Sequence, residues 1–93
     1  MNKYKIDYTT MFKRDIKRAK KRGCNMQLMS EVVDKLQKGE PLPEKNRDHA
    51  LSGNWAGYRE CHITPDWLLI YEIIEDRLIL ALTRTGSHSD LGF

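Results

Sequence analysis

Three histidines and two carboxylates occupy positions from which side chains can exchange protons. Residues 58–63 read YRECHI, and two-residue alternation places Glu60 and His62 on one side of an extended segment, with Cys61 and Ile63 on the other. Asp66 follows in the break after Pro65, and His49 and His88 lie before and after this region, each at the edge of an element. Imidazole, with an unperturbed pKa of about 6.5, gives or takes a proton near neutral pH, and a carboxylate can orient it or serve as a base. Such a set suits the cleavage of RNA without a metal, in which the 2′-hydroxyl attacks the adjacent phosphorus. One group takes the hydroxyl proton, another protonates the leaving 5′-oxygen, and cations face the phosphorane. Arg84, near the end of the last apolar run, offers a planar fork for the phosphate.

Each residue also has an ordinary reading. A single histidine is commonly a solvated loop residue, Glu60 a solvent-face strand residue, and Asp66 after Pro65 a turn former. Cys61, Trp55 and Trp67 are most simply packing residues. Three histidines and an aspartate also admit a transition-metal hydrolase, although their spacing matches no standard ligand motif. A non-catalytic RNA-binding module or growth regulator is a third reading. What favours acid–base chemistry is the combination of groups.

The elements that must position these groups follow from periodicity. Residues 3–8 alternate, with Tyr4, Ile6 and Tyr8 on one side, which suits a half-buried strand. Thr9 or Thr10 can then cap a helix whose apolar stripe is Phe12, Ile16 and Ala19, ending at Gly23. In a second helix Met29, Val32, Val33 and Leu36 recur at helical spacing, with Glu31–Lys35 and Asp34–Lys38 as favourable pairs. The short connection makes the two an antiparallel hairpin. Gly39, Pro41 and Pro43 end it, and the polar run to Asp48 reads as an exposed loop. Residues 58–63, 67–74 and 77–83 are then three strands with short breaks, an antiparallel meander. The order β-α-α-β-β-β implies an α+β fold: a helical hairpin on one face of a small, twisted, mostly antiparallel sheet, with the other face free for chemistry. The chain, residues 1–93, is expected to be a single domain.

Composition narrows the class. With 40% hydrophobic and 31% charged residues the chain has the balance of a folded, soluble protein. It contains no apolar run of the ~18 residues that would span a bilayer, and its first residues, MNKYKIDYTT, have no signal-peptide pattern; a cytoplasmic protein without membrane contact is expected. Cys24 and Cys61, far apart, are expected to be reduced. The net charge of +3 is uneven: residues 1–24 hold nine Lys or Arg against two Asp, the remainder seven against eleven acids, so the halves carry +7 and −4. Most of that positive charge lies on the outer faces of the first helix, Lys17, Lys20 and Lys21 among them, and implies a polyanionic or acidic protein partner.

Residues 48–71, DHALSGNWAGYRECHITPDWLLIY, together with RTGSH at 84–88, closely resemble the YafQ branch of the RelE-like toxins of bacterial toxin–antitoxin systems. The resemblance covers nearly the whole chain, and its fold agrees with the element order. In that branch the active site comprises the histidine of a DH pair, the acid and histidine of an R-[DE]-x-H strand, the aspartate of a PDW turn and the histidine of an RTGxH tail. The resemblance therefore implies a site of His49, Glu60, His62, Asp66 and His88, with His88 as general acid, His62 with Asp66 or His49 on the base side, and Arg84 holding the phosphate. It further implies an endoribonuclease, needing no cofactor, that enters the ribosomal A site, cuts messenger RNA within codons and is neutralised by a small cognate antitoxin. Such a toxin is expected to be monomeric when free, with its basic helix facing ribosomal RNA phosphates. Two departures stand out: Glu60 replaces an aspartate, and Phe93, a candidate for stacking on a base, follows the tail histidine by five residues where four are usual.

Overall fold

A computed structural model describes residues 2–92. The chain forms β1 (Lys5–Tyr8), α1 (Thr10–Lys21), α2 (Met26–Gln37), β2 (His49–Ala50), β3 (Arg59–Thr64), β4 (Trp67–Ile74), β5 (Ile79–Gly86) and α3 (His88–Leu91), with single 3-10 turns at Glu44–Asn46 and Gly53–Trp55. The five strands make one sheet in the order β1-β5-β4-β3-β2, in which β1 runs parallel to β5 and the other neighbours are antiparallel. The α+β fold with a helical hairpin on a mostly antiparallel sheet is therefore the one expected.

Local chemistry sets the helix boundaries. The Thr9 hydroxyl accepts from the Phe12 N–H at 3.0 Å and caps α1, and Gly23, at φ 79°, supplies the left-handed step that turns the chain away. Asn25 caps α2 through the Gln27 N–H at 3.0 Å, and Lys38 reaches Asp34 at 3.0 Å. Met29, Val32 and Leu36 of α2 pack with Phe12 and Ala19 of α1 against Cys61, Trp67, Leu69, Tyr71, Leu80 and Leu82 of the sheet. The α1 stripe differs from its expectation in one place: Asp15 is buried and Ile16 only partly so.

Asp15 is buried because the sheet needs it there. β1 ends at Tyr8, so β5 beyond Leu82 has no strand on that side. Asp15 takes the place of the missing strand, accepting the Thr85 N–H at 3.1 Å and the Arg84 Nε–H at 2.7 Å. Strand β5 itself starts at Ile79, two residues later than its apolar run, because Leu78 adopts φ 52° in the turn from β4. A bulge at Thr83 shifts the register, with Leu82 opposite Tyr71 and Arg84 opposite Ile70. By plain alternation Arg84 would share the helix-facing side with Leu80 and Leu82. The bulge moves it to the other face.

That other face is less open than expected. Leu68 and Ile70 lie on it fully buried, flanked by cross-strand neighbours: Glu60 and Arg84 both register with Ile70, and His62 and Gly86 both register with Leu68. Cys61, on the helix-facing side, has no exposed surface, and burial pushes its thiol up to about 12. Iodoacetamide at pH 8 is therefore expected to modify the half-buried Cys24 in the folded protein and leave Cys61 intact; mass spectrometry of the peptides checks this, and rapid labelling of Cys61 would contradict the packing.

Candidate active site

Strand β3 carries the centre of the site. Glu60 and His62 project together from the face opposite Cys61, as alternation requires, and the Glu60 side chain is only 9% exposed. His49, expected just before the sheet, is part of it: the two-residue strand β2 pairs with β3 and sets His49 directly opposite Glu60. A network behind the sheet holds this edge in place, since Tyr71 donates its hydroxyl proton to Asp48 and Arg59 Nη2 reaches the second Asp48 oxygen at 3.1 Å. One Glu60 oxygen then sits between two rings, 3.6 Å from His49 Nε2 and 3.5 Å from His62 Nε2. His49 Nδ1 is 2.7 Å from the Arg47 carbonyl, an acceptor only, so Nδ1 carries hydrogen and Nε2 is the nitrogen turned toward Glu60.

The second half of the site comes from the β3–β4 turn and the tail. His88 is the first residue of α3, and its Nδ1 lies 2.8 Å from Asp66 Oδ1. The carboxylate accepts, so Nδ1 again bears hydrogen and Nε2 faces outward. This hydrogen bond holds the Asp66 carboxyl below the usual carboxylate range. The rings of His62 and His88 stand 5.8 Å apart, centre to centre, and join the two halves. They line a cleft of about 380 Å³ with Pro65, Lys45 and Arg47.

The five residues expected to act, His49, Glu60, His62, Asp66 and His88, thus form two linked pairings around one cleft. The cations at that cleft are different from those expected. Arg84 shares the Glu60 face, but its guanidinium reaches past the open β5 edge to Asp15, through Nε at 2.7 Å and Nη2 at 3.2 Å. A fork bound in this way is not presented to a phosphate, because Asp15 supplies the carboxylate that two of its nitrogens already satisfy. Lys45 and Arg47 stand in its place. Both lie exposed in the polar run read as a loop, within which a 3-10 turn is anchored by buried Asn46, whose amide donates to the His62 carbonyl at 2.7 Å. Two cations spaced by one residue immediately before Asp48–His49 were the available signal. Lys17, Lys20 and Lys21 are exposed on α1, which covers the opposite side of the sheet, and do not line the cleft. Phe93 lies outside the described residues.

Known proteins give this arrangement a context. Residues 4–92 match the family model of the bacterial toxin of type II toxin–antitoxin system, YafQ. The mRNA interferase toxin YafQ of Escherichia coli K12 is 38% identical over 87 residues, 92% of each chain. The crystal structure of the E. coli DinJ–YafQ toxin–antitoxin complex contains a chain similar to this one with a TM-score of 0.87 and 37% identity, covering 96% of this chain and 97% of that one. A metal-bound toxin from Helicobacter pylori is similar at a TM-score of 0.90 and 40% identity, over 95% and 98% of the two chains. On the family match and on identity across nearly the whole length, this chain belongs to the YafQ family of type II toxin–antitoxin toxins.

Proposed function

We propose that this chain is an mRNA interferase, an endoribonuclease that inhibits translation, and that it cuts by metal-independent transesterification. The observation that carries the reading is the pair of imidazoles 5.8 Å apart across the cleft, each tied to its own carboxylate. In this mechanism the RNA 2′-oxygen forms a bond to phosphorus while the bond from phosphorus to the 5′-oxygen breaks. His62, with Glu60 and His49 beside it, takes the 2′-hydroxyl proton. His88, protonated at Nε2 while Asp66 accepts from Nδ1, gives a proton to the leaving 5′-oxygen, and Asp66 stabilises the imidazolium that donates it. Lys45 and Arg47 face the charge that builds on the phosphorane. The products are a 2′,3′-cyclic phosphate and a free 5′-hydroxyl, the second being the proton acceptor's share of the balance. A requirement for the 2′-hydroxyl makes the substrate RNA and not DNA.

Among the described residues no group of three His, Cys, Asp or Glu side chains is placed to hold a metal ion, and in this reading the imidazoles carry the proton transfers themselves. Cleavage is therefore expected to proceed unchanged in EDTA, with cyclic-phosphate ends on the upstream fragments. Activity lost in chelator and restored by zinc would replace this mechanism by a metal-assisted one. The cellular test is to induce the chain in bacteria and map transcript 5′ ends: new ends within coding sequence support an interferase, and their absence would end the nuclease reading.

A cognate antitoxin is the protein partner, and the basic outer face of α1 is suited to an acidic segment of it. The same face, with exposed Lys17 and Lys21, supports contact with ribosomal RNA phosphates, and messenger at the A site is the substrate in this reading. The free toxin is monomeric and acts in the cytoplasm, where ribosomes are. Among the described residues no helix is long and apolar enough to cross a membrane.

A further inference from the structure

His88 sits on a weak support. Its helix, α3, has four residues, too few for intrinsic stability, and the His88 side chain is 45% exposed. Something outside α3 must hold it against Asp66, and the structure contains such a hold at Asp90. Ser87 and Asp90 cap the helix reciprocally: the Asp90 N–H donates to Ser87 Oγ at 3.1 Å, and the Ser87 N–H donates to Asp90 Oδ2 at 2.9 Å. The same carboxylate is gripped from α1. Arg22 engages both of its oxygens, Nη1 at 2.5 Å from Oδ2 and Nη2 at 3.1 Å from Oδ1, and Arg18 lies 3.5 Å away. Such a two-pronged contact fixes orientation as well as distance. Gly86 makes room for it, since a Cβ there would meet the Asp90 Cβ at 2.9 Å.

We propose that Asp90 is a positioning residue for the cleavage reaction: clamped by Arg22, it locks α3 onto α1 and so fixes the His88 ring against Asp66 and beside His62. The proposal rests on the nuclease reading given above. It assigns Arg18 and Arg22, the end of the basic helix, to the frame of the active site, and leaves the remaining cations of α1 for polyanions. The groups around Asp90 are Arg18 from α1 and Arg22 at its C-cap, Asp66 from the β3–β4 turn, and Ser87 and His88 from its own segment. Removing either member of the clamp frees the ring to wander by an ångström or more, enough to cost on the order of 10²-fold in rate when reacting groups must be aligned.

The test uses the whole chain with Asp90→Ala and, because that variant also loses the helix cap, Arg22→Ala, which keeps it. Steady-state cleavage of a ribosome-bound message is measured beside an NMR titration of the Asp66 carboxyl. Expected are a fall in kcat of roughly 10- to 100-fold with KM unchanged, and an Asp66 pKa that rises toward the ordinary carboxylate range as its His88 partner leaves. Arg22→Lys, which retains the charge, is expected to restore part of the rate. If Asp90→Ala does not fold, Arg22→Ala decides. A folded variant with wild-type kcat and an unmoved Asp66 overturns the proposal. So does a rise in KM with Asp66 unmoved, which would make Arg22 an RNA contact only. Should the wild type itself fail to cleave, the nuclease reading falls, and the Asp66 titration, which needs no RNA, still decides whether Asp90 and Arg22 hold His88.

Discussion

His88→Ala is expected to lower cleavage by about 10²- to 10⁴-fold, the range typical of losing a general acid. The leaving 5′-oxygen must acquire a proton, and His88 Nε2 is the outward nitrogen of a ring whose other nitrogen is held by Asp66 at 2.8 Å. The side chain is 45% exposed and contributes little to the core, so the variant should melt within about 0.5 kcal/mol of the wild type and bind its partners as before. Rates measured on message in purified ribosomes, with thermal melts alongside, check both halves of the expectation. Undiminished cutting by a folded His88→Ala protein would assign the acid to another group. Growth arrest by that variant with no new transcript ends would favour a toxin that acts by binding alone.

The second large effect is on stability. Asp15 is 2% exposed and accepts three hydrogen bonds, two from Arg84 and one from the Thr85 N–H. Asp15→Ala leaves a largely buried guanidinium without its counter-charge and a buried backbone donor without an acceptor. Breaking a pair of this kind costs about 3–5 kcal/mol, a large part of the roughly 5–15 kcal/mol that holds an average domain together. The melting temperature should fall by at least about 12 °C for a chain of this size. Replacing both members with apolar residues, Asp15→Leu with Arg84→Met, should recover part of the loss, because neither charge is then stranded while the Thr85 N–H still lacks its acceptor. A single variant that melts within about 1 kcal/mol of the wild type would show that water reaches Arg84 freely.

Much of this was legible from residue order. Alternation in residues 58–63 separated Glu60 and His62 from Cys61 and Ile63, because an extended chain leaves no other arrangement, and the helix stops at Gly23 and Gly39 follow from their left-handed backbones. What escaped depends on pairing between distant segments. A two-residue strand has no periodicity of its own, so β2 and the alignment of His49 with Glu60 exist only through β3. The Thr83 bulge cannot be seen in one strand, as it is a mismatch between two. Asp15 looks like a surface residue on a polar helix until the short β1 leaves an edge for it to fill. Lys45 and Arg47 were hidden by ordinary loop composition, and the turn that aims them is held by Asn46 bonding to a strand sixteen positions away. Arg84 reaches the Glu60 face only through the Thr83 bulge, and its partner lies on α1.

The parallel joint between β1 and β5, with Lys5 beside Ile79, has a consequence for the toxin's own synthesis. While the nascent polypeptide is being extended, its first strand and both long helices wait without the neighbour that completes the sheet, and pairing across so great a sequence distance is slow. His88 follows β5 and arrives only after it. In the proposed mechanism, catalytic competence is thus delayed until the translating machine has read past codon 88.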